Sequence, residues 1–359
     1  MSTTKLEPLR GPPAPDTGGQ TMKAVVQSHY NPAPENLFRV AQIDRPAIGD
    51  DEVLVRVHAA GVDRGTWHIM AGLPYPLRLF GYGIRAPKNR VRGREVAGRV
   101  EKVGKAVTRL HVGDEVYGIA EGSFAEYARA REDKLARKPA NLTFEQAAAV
   151  PISGLTALQG LRDRGRVEPG QKVLIIGASG GVGTFAVQIA KALGAEVTGV
   201  CSTSKVDMVR SLGADHVIDY TAEDVDRGQR YDVVLDTGGH RSLRRLRRTL
   251  APRGTLVIVG SETAGRWLGG FDRTIRAMLL SPFVSQKLAP LTSSENAADL
   301  IILTGLIESG QVAPIVDRTY PLEEAAAAIR HMLDGKARGK LVVSVSPNGM
   351  QTPPPGSTP

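Results

Sequence analysis

The chain predicts a two-part α/β fold, an antiparallel barrel-like β unit followed by a doubly wound parallel sheet. Three observations carry this. Residues 172–205, KVLIIGASGGVGTFAVQIAKALGAEVTGVCSTSK, spell a buried strand, a glycine turn, a helix and a second strand. Beyond them, strands and helices alternate at short spacing, the pattern of a parallel sheet with helices on its faces. The first 140 residues instead read as short strands divided by turn signals, with few helices.

In chain order, the N-terminus carries Pro8, Pro12, Pro13 and Pro15 and no apolar core. It reads as a disordered extension over 1–21 and not as a secretory signal. Strands follow at 22–28, 37–46 and 51–62, separated by Asn31-Pro32 and Gly49-Asp50. Residues 73–92 set Tyr75, Leu77, Leu79, Phe80 and Tyr82 among prolines and glycines, a loop of the length often used as a lid. Strands at 94–103 and 115–119 are broken by Gly104 and Gly113-Asp114. A helix opens at Thr143 and stops before Pro151, and another covers 155–161. After the 172–205 stretch come a helix at 205–212, strands at 216–220 and 232–236, a helix at 241–250 and a strand at 255–260. Helices at 273–280 and 295–309, a strand at 312–320, a helix at 322–333 and a strand at 340–345 complete the chain before the Pro353-Pro354-Pro355 tail.

The totals narrow the class. With 359 residues, 42% hydrophobic and 23% charged, the chain is long enough for two domains of an ordinary globular protein. No apolar run reaches the roughly 18 residues of a membrane span. Cys201 is the single cysteine, which excludes an internal disulfide and a cysteine-cluster zinc site and fits a reducing cytoplasm. The net charge of +9 is uneven, with nine basic residues against Glu95 and Glu101 between Arg78 and Lys105. A second basic run, Arg241 to Arg248, alternates with Leu243, Leu246 and Leu250 at helical spacing, so its arginines form a wet face. The second run holds no aromatic and the first only Phe80 and Tyr82 near its start, which argues against nucleic acid as a partner.

The glycines fall where a helix begins. Ser179, Gly180, Gly181, Val182 and Gly183 place open backbone at a helix N-terminus, whose dipole is equivalent to roughly half a charge and suits a pyrophosphate. Ala178, Gly180 and Gly183 take the three places of the G-x-G-x-x-G pattern. An NAD site usually ends the second strand in an acid that holds the ribose 2′-hydroxyl. Here the strand ends Cys201-Ser202-Thr203-Ser204-Lys205, with no acid before Asp207. A hydroxyl and an ammonium suit a 2′-phosphate, so NADPH is the predicted cofactor.

Five further stretches carry a resemblance. They are Val116-Tyr117-Gly118 after Gly113-Asp114, Ser123-Phe124-Ala125-Glu126-Tyr127, Ala178 to Gly183, Leu212-Gly213-Ala214-Asp215 with Val217 to Tyr220, and Gly339-Lys340-Leu341-Val342-Val343. Over residues 22–346 the chain resembles the zinc-independent quinone oxidoreductase branch of the medium-chain dehydrogenase/reductase superfamily. That resemblance implies a GroES-like β-barrel catalytic domain made of 22–146 and 288–346, a Rossmann domain over 147–287, a disordered tail over 347–359, and a homodimer. It also implies cofactor contacts from Ser179, Gly181 and Val182 to the pyrophosphate, from Ser202 and Lys205 to the 2′-phosphate, from Tyr220 beside the adenosine, and from Gly260 and Lys340.

Zinc-dependent members carry a Cys ligand after the strand equivalent to Val53–Val62 and a Gly-His-Glu further on. This chain has Asp63 and Gly93-Arg94-Glu95 there, and an arginine cannot ligate zinc. His58, His68 and His111 lack ligand spacing with a second donor. Without a metal to polarise an alcohol, the expected reaction is hydride transfer to an acceptor already electrophilic, a quinone or an α,β-unsaturated carbonyl. Asp63, Trp67 and Tyr75 are the catalytic candidates. Asp63 either acts or caps the helix over 64–71, and Trp67 either stacks on a planar acceptor or fills core. The alternatives are an alcohol dehydrogenase-like enzyme and a non-catalytic NADPH- or RNA-binding protein of the zeta-crystallin type.

Overall fold

A computed structural model of the protein describes residues 19–225, 228–260, 267, 269 and 271–345. The predicted tail over 347–359 and all but the last three residues of the predicted extension lie outside that range. The chain opens with β1 (Thr21–Val26), antiparallel to β2 (Arg39–Asp44) with Val25 facing Val40. The long strand β3 (Glu52–Val62) then forms the spine of the first unit, because Val53, Val55 and Val57 are driven into the core. Asp63 caps α1 (Arg64–Ala71), and Gly72 ends it at φ 62°, a left-handed position that favours glycine. Next come β4 (Glu95–Val103), β5 (Glu115–Ile119), β6 (Tyr127–Arg131) and β7 (Leu135–Arg137).

The first half of β3 is flanked by β4 and β6, and its second half by β4 and the last strand of the chain. Two bulges in the β3–β4 ladder bend the sheet as this change of partner requires. A capping box of Thr143 and Gln146 opens α2 (Phe144–Ala148). Pro151 does not only stop that helix. It is the first residue of α3 (Pro151–Gln159), where a missing N–H loses nothing, so this helix starts four residues earlier than the periodicity indicated.

The parallel sheet follows: β8 (Lys172–Ile176), α4 (Gly181–Ala192), β9 (Glu196–Cys201), α5 (Val206–Ser211), β10 (His216–Asp219), β11 (Tyr231–Asp236), α6 (Leu243–Thr249), β12 (Leu250–Ile258), α7 (Phe271–Leu280) and β13 (Lys287–Pro290). Its six strands run in the order β10-β9-β8-β11-β12-β13, all parallel. The order reverses between β8 and β11, so a crevice opens at the carboxyl ends of these central strands. Val173, Leu174 and Ile175 of β8 are fully buried, as a run covered by helices on both faces requires. Leu246 and Leu250 face inward while Arg245 reaches Asp224 at 2.7 Å outside, so the arginine run is a wet helix face.

The strand β13 departs from the sequence reading, which began the second part of the catalytic domain at 288 and saw no strand there. Four residues ending in a proline give little periodicity, yet Thr255 to Ile258 of β12 pair with them as the sheet's edge. The chain then returns through α8 (Ala297–Glu308), β14 (Val316–Pro321), α9 (Ala325–Leu333) and β15 (Lys340–Ser344), which joins β3 antiparallel and gives a seven-stranded sheet, six strands in the order β14-β15-β3-β4-β5-β7 and β6 paired beside them with β3. The buried Tyr117 hydroxyl donates to the Leu300 carbonyl at 2.7 Å, fixing α8 against β5. Among the described residues no helix is long and apolar enough to cross a membrane.

Candidate active site

The carboxyl ends of β8, β9, β11 and β12 face the start of α1, the start of α3 and the first residues of β15 across a cavity of about 840 Å³. Local backbone demands shape its floor. Gly177 turns the chain out of β8 at φ 81°, where a Cβ would lie 2.5 Å from Thr237 Oγ1. The tight turn therefore belongs to Gly177 and not to Ala178, which is buried beneath the loop, and the working pattern is Gly177-x-x-Gly180-x-x-Gly183.

Gly180 is the N-cap of α4 and Gly181 opens it. A Cβ on Gly183 would stand 2.1 Å from the Gly177 carbonyl, so this glycine lets helix and strand pack and does not line the cavity. Gly183→Ala is accordingly expected to destabilise the fold by about 1–3 kcal/mol, an overpacking effect checked by urea unfolding.

Ser179, Gly180, Gly181, Val182, Ser202, Lys205, Tyr220, Gly260 and Lys340 all lie on the cavity wall. The α4 N-terminus presents amides that the helix itself cannot satisfy, and the glycines leave room above them, so these residues fit a dinucleotide pyrophosphate. The glycine loop is clamped by the end of the chain, because Gly339 N–H donates to the Ser179 carbonyl at 3.0 Å. Lys205 is more committed than its position in sequence indicated. Its ammonium donates to the carbonyls of Gly335 at 3.2 Å and Ala337 at 2.8 Å. Arg241, from the loop after β11, adds a second cation to the wall. Burial pushes the Cys201 thiol up to about 11, so it stays protonated and is no nucleophile at neutral pH.

The catalytic candidates are dispersed. Asp63 reaches the cavity wall, but its Oδ1 accepts from Thr66 N–H at 3.0 Å and its Oδ2 from the Thr66 hydroxyl at 2.8 Å. It caps α1. Trp67 is a correction: it is 7% exposed in the barrel core, off the cavity wall, with Nε1 donating to the Pro32 carbonyl at 3.2 Å. Helical spacing from Asp63 turns it inward. Tyr75 is also off the wall, with its ring 5.3 Å from that of Trp267. His68 takes the place expected of Trp67. Its Nδ1 lies 2.9 Å from the Leu73 carbonyl, which only accepts, so Nδ1 carries the proton and Nε2 is the acceptor. Burial lowers its pKa and favours this neutral form.

The two places where zinc ligands stand in alcohol dehydrogenases hold the capping Asp63 and Arg94. The Arg94 guanidinium is ion-paired with Glu295, which also accepts from Lys134 at 3.0 Å. Among the described residues no three His, Cys, Asp or Glu side chains are grouped to hold a metal.

Glu95 escaped the sequence reading. In sequence it is one of two acids in a basic run and the last residue of Gly93-Arg94-Glu95, although a lone acid before Val96-Ala97 in a strand is a signal of its own. It is fully buried, ion-paired with Lys340, and accepts from the Ile152 N–H at 2.9 Å. Burial raises its carboxyl to about 7, with Lys340 opposing and Asp63 adding to the rise. Because this lies above the ordinary 4.5, the folded protein keeps a proton the unfolded chain has released. The resulting stability is full below about pH 4.5 and is lost as pH climbs through about 7. Melting temperatures from acid to mildly alkaline pH check this: wild type falls more steeply than Glu95→Gln/Lys340→Met, which removes the pair whole.

A nucleotide-type crevice closed by a GroES-like barrel defines an oxidoreductase that uses a nicotinamide dinucleotide. Comparison with known proteins makes the class specific. Residues 49–140 match the alcohol dehydrogenase GroES-like domain, and residues 212–343 match a domain described as zinc-binding dehydrogenase. The chain is 34% identical over 340 residues to the chloroplastic NADPH-dependent alkenal/one oxidoreductase of Arabidopsis thaliana, covering 90% of this chain and 79% of that one. It is 29% identical to the chloroplast envelope quinone oxidoreductase homolog of the same plant, over 90% of this chain and 99% of that one. The solved quinone oxidoreductase from Coxiella burnetii superposes with a TM-score of 0.77 at 28% identity, over 91% of this chain and all of that one. The chain belongs to the quinone oxidoreductase branch of the medium-chain dehydrogenase/reductase superfamily.

Proposed function

We propose that the protein reduces a quinone or an α,β-unsaturated carbonyl with NADPH and without zinc. The observation that carries this is that the two places where the zinc-dependent members of the family hold metal ligands are taken by Asp63, which caps α1 on the cavity wall, and by Arg94, which is ion-paired with Glu295. Bound NADPH supplies the hydride. The residues of the chain orient and polarise. The glycine loop and Lys340 seat the pyrophosphate, while Ser202, Lys205 and Arg241 line the end that would take the 2′-phosphate. Asp63, with both oxygens accepting, cannot donate to a developing oxyanion, so that role passes to donors beside it on the wall, the Arg64 guanidinium and the Ser153 hydroxyl. The names of the relatives support an acceptor of the quinone or enone class.

Steady-state oxidation of NADPH and NADH with a panel of quinones and enones tests this. Turnover is expected to depend on the acceptor and to favour NADPH. Ser202→Asp, which sets a carboxylate against the 2′-phosphate, is expected to raise the KM for NADPH by about tenfold, roughly 1.4 kcal/mol, and leave that for NADH nearly unchanged. Equal KM shifts for both cofactors would remove Ser202 from the 2′-phosphate site.

A further inference from the structure

Lys340 is anchored at both ends. Its backbone follows Gly339, which is bonded to the glycine loop, and its ammonium is held by Glu95. Between these points its Cδ lies 3.0 Å from where a Gly181 Cβ would be, on the cavity wall. Glu95 is equally fixed. One oxygen accepts from the Ile152 N–H, and a Cβ on Gly61 would fall 2.3 Å from the other, so the carboxylate has no room to swing. The pair is buried on both sides, with side-chain exposures of 3% and 0%. A single carboxylate on β4 thus joins the last strand of the chain to the start of α3 beside the helix that receives the cofactor.

We propose that Glu95 is a positioning residue, which holds the Lys340 ammonium in place so that this side chain, packed beside Gly181, meets the cofactor pyrophosphate. The inference rests on the dinucleotide reading of this cavity. Among the described residues Asp63 acts on Glu95 from the β3–α1 junction, and Gly181 of α4, beside Lys340, is neutral. The Glu95 carboxyl, raised by burial to about 7, is largely neutral at the acid end, where a glutamine mimics it, and ionised at the alkaline end, where only the carboxylate holds the ammonium. Glu95 therefore matters most at alkaline pH.

NADPH binding is measured by nicotinamide fluorescence for wild type, Glu95→Gln, Lys340→Met and Lys340→Arg between about pH 6 and about pH 9. Melting temperatures are recorded alongside. Relative to wild type at the same pH, Glu95→Gln is expected to bind normally at the acid end and about tenfold more weakly at the alkaline end. Lys340→Met is expected to lose about tenfold at every pH, and Lys340→Arg to restore binding. The proposal is overturned if Glu95→Gln follows wild type throughout, or loses the same factor at every pH together with melting temperature. Absence of NADPH and NADH binding by wild type overturns the dinucleotide reading itself.

Discussion

Gly181→Asp is expected to weaken NADPH binding by about a hundredfold, roughly 2.7 kcal/mol, while leaving the protein folded. A Cβ at this position meets Lys340 Cδ at 3.0 Å and Ser153 Oγ at 3.1 Å, both side-chain atoms that can shift by a few tenths of an ångström. No backbone stands in the way. An aspartate at the first residue of α4 is moreover favourable to the helix dipole. The carboxylate would occupy the seat of the pyrophosphate, pair with Lys340, and repel a bound phosphate. Fluorescence titration with NADPH and thermal unfolding check the two halves of the expectation. Unchanged affinity would mean the pyrophosphate lies elsewhere, and a collapsed melting temperature would mean the position is structural. Gly183, two residues on, supplies the contrast, because its Cβ would strike the Gly177 carbonyl and the loss there falls on stability.

Glu95→Ala is the largest expected effect on stability. Removing one partner of a buried ion pair leaves the other charge uncompensated, a loss of about 3–5 kcal/mol. The Ile152 N–H also loses its acceptor, which costs about 1–3 kcal/mol more if no water enters. A comparison with Glu95→Leu/Lys340→Met separates charge from packing, since removing both charges avoids the orphaned ammonium and is expected to recover most of the loss. Urea unfolding of the single and double variants measures it. A single variant within about 1 kcal/mol of wild type would show that water or another group compensates Lys340.

The legible part of this protein was the part written locally. The strand, glycine turn, helix and second strand over 172–205 are contiguous, so periodicity and turn chemistry fixed both their structure and their place on the cavity wall. Asp63 was legible as one of two things, an acting carboxylate or a cap, because it stands just before the helix over 64–71. Gly177 is hidden in sequence because the glycine pattern also fits from Ala178, and its positive φ is what sets it apart. Trp67 and His68 were exchanged because neighbours on a helix point about 100° apart, and sequence does not say which faces the barrel. The Glu95–Lys340 pair was beyond reach for a different reason. Its members lie 245 residues apart, joined only when β15 returns to β3. The acceptor side of the cavity is built from such distant segments throughout, whereas most of the cofactor side comes from the ends of successive strands.

The most direct measurement is acceptor-dependent loss of reduced-nicotinamide absorbance, with purified protein, NADPH and a metal chelator. A quinone or an enone is offered in one arm, and NADP⁺ with a simple alcohol in the other. The account predicts NADPH oxidation by the quinone or enone, undiminished by the chelator and absent in Gly181→Asp, with no reduction of NADP⁺ by the alcohol. Alcohol oxidation that the chelator abolishes, or no NADPH consumption with any acceptor, would contradict it.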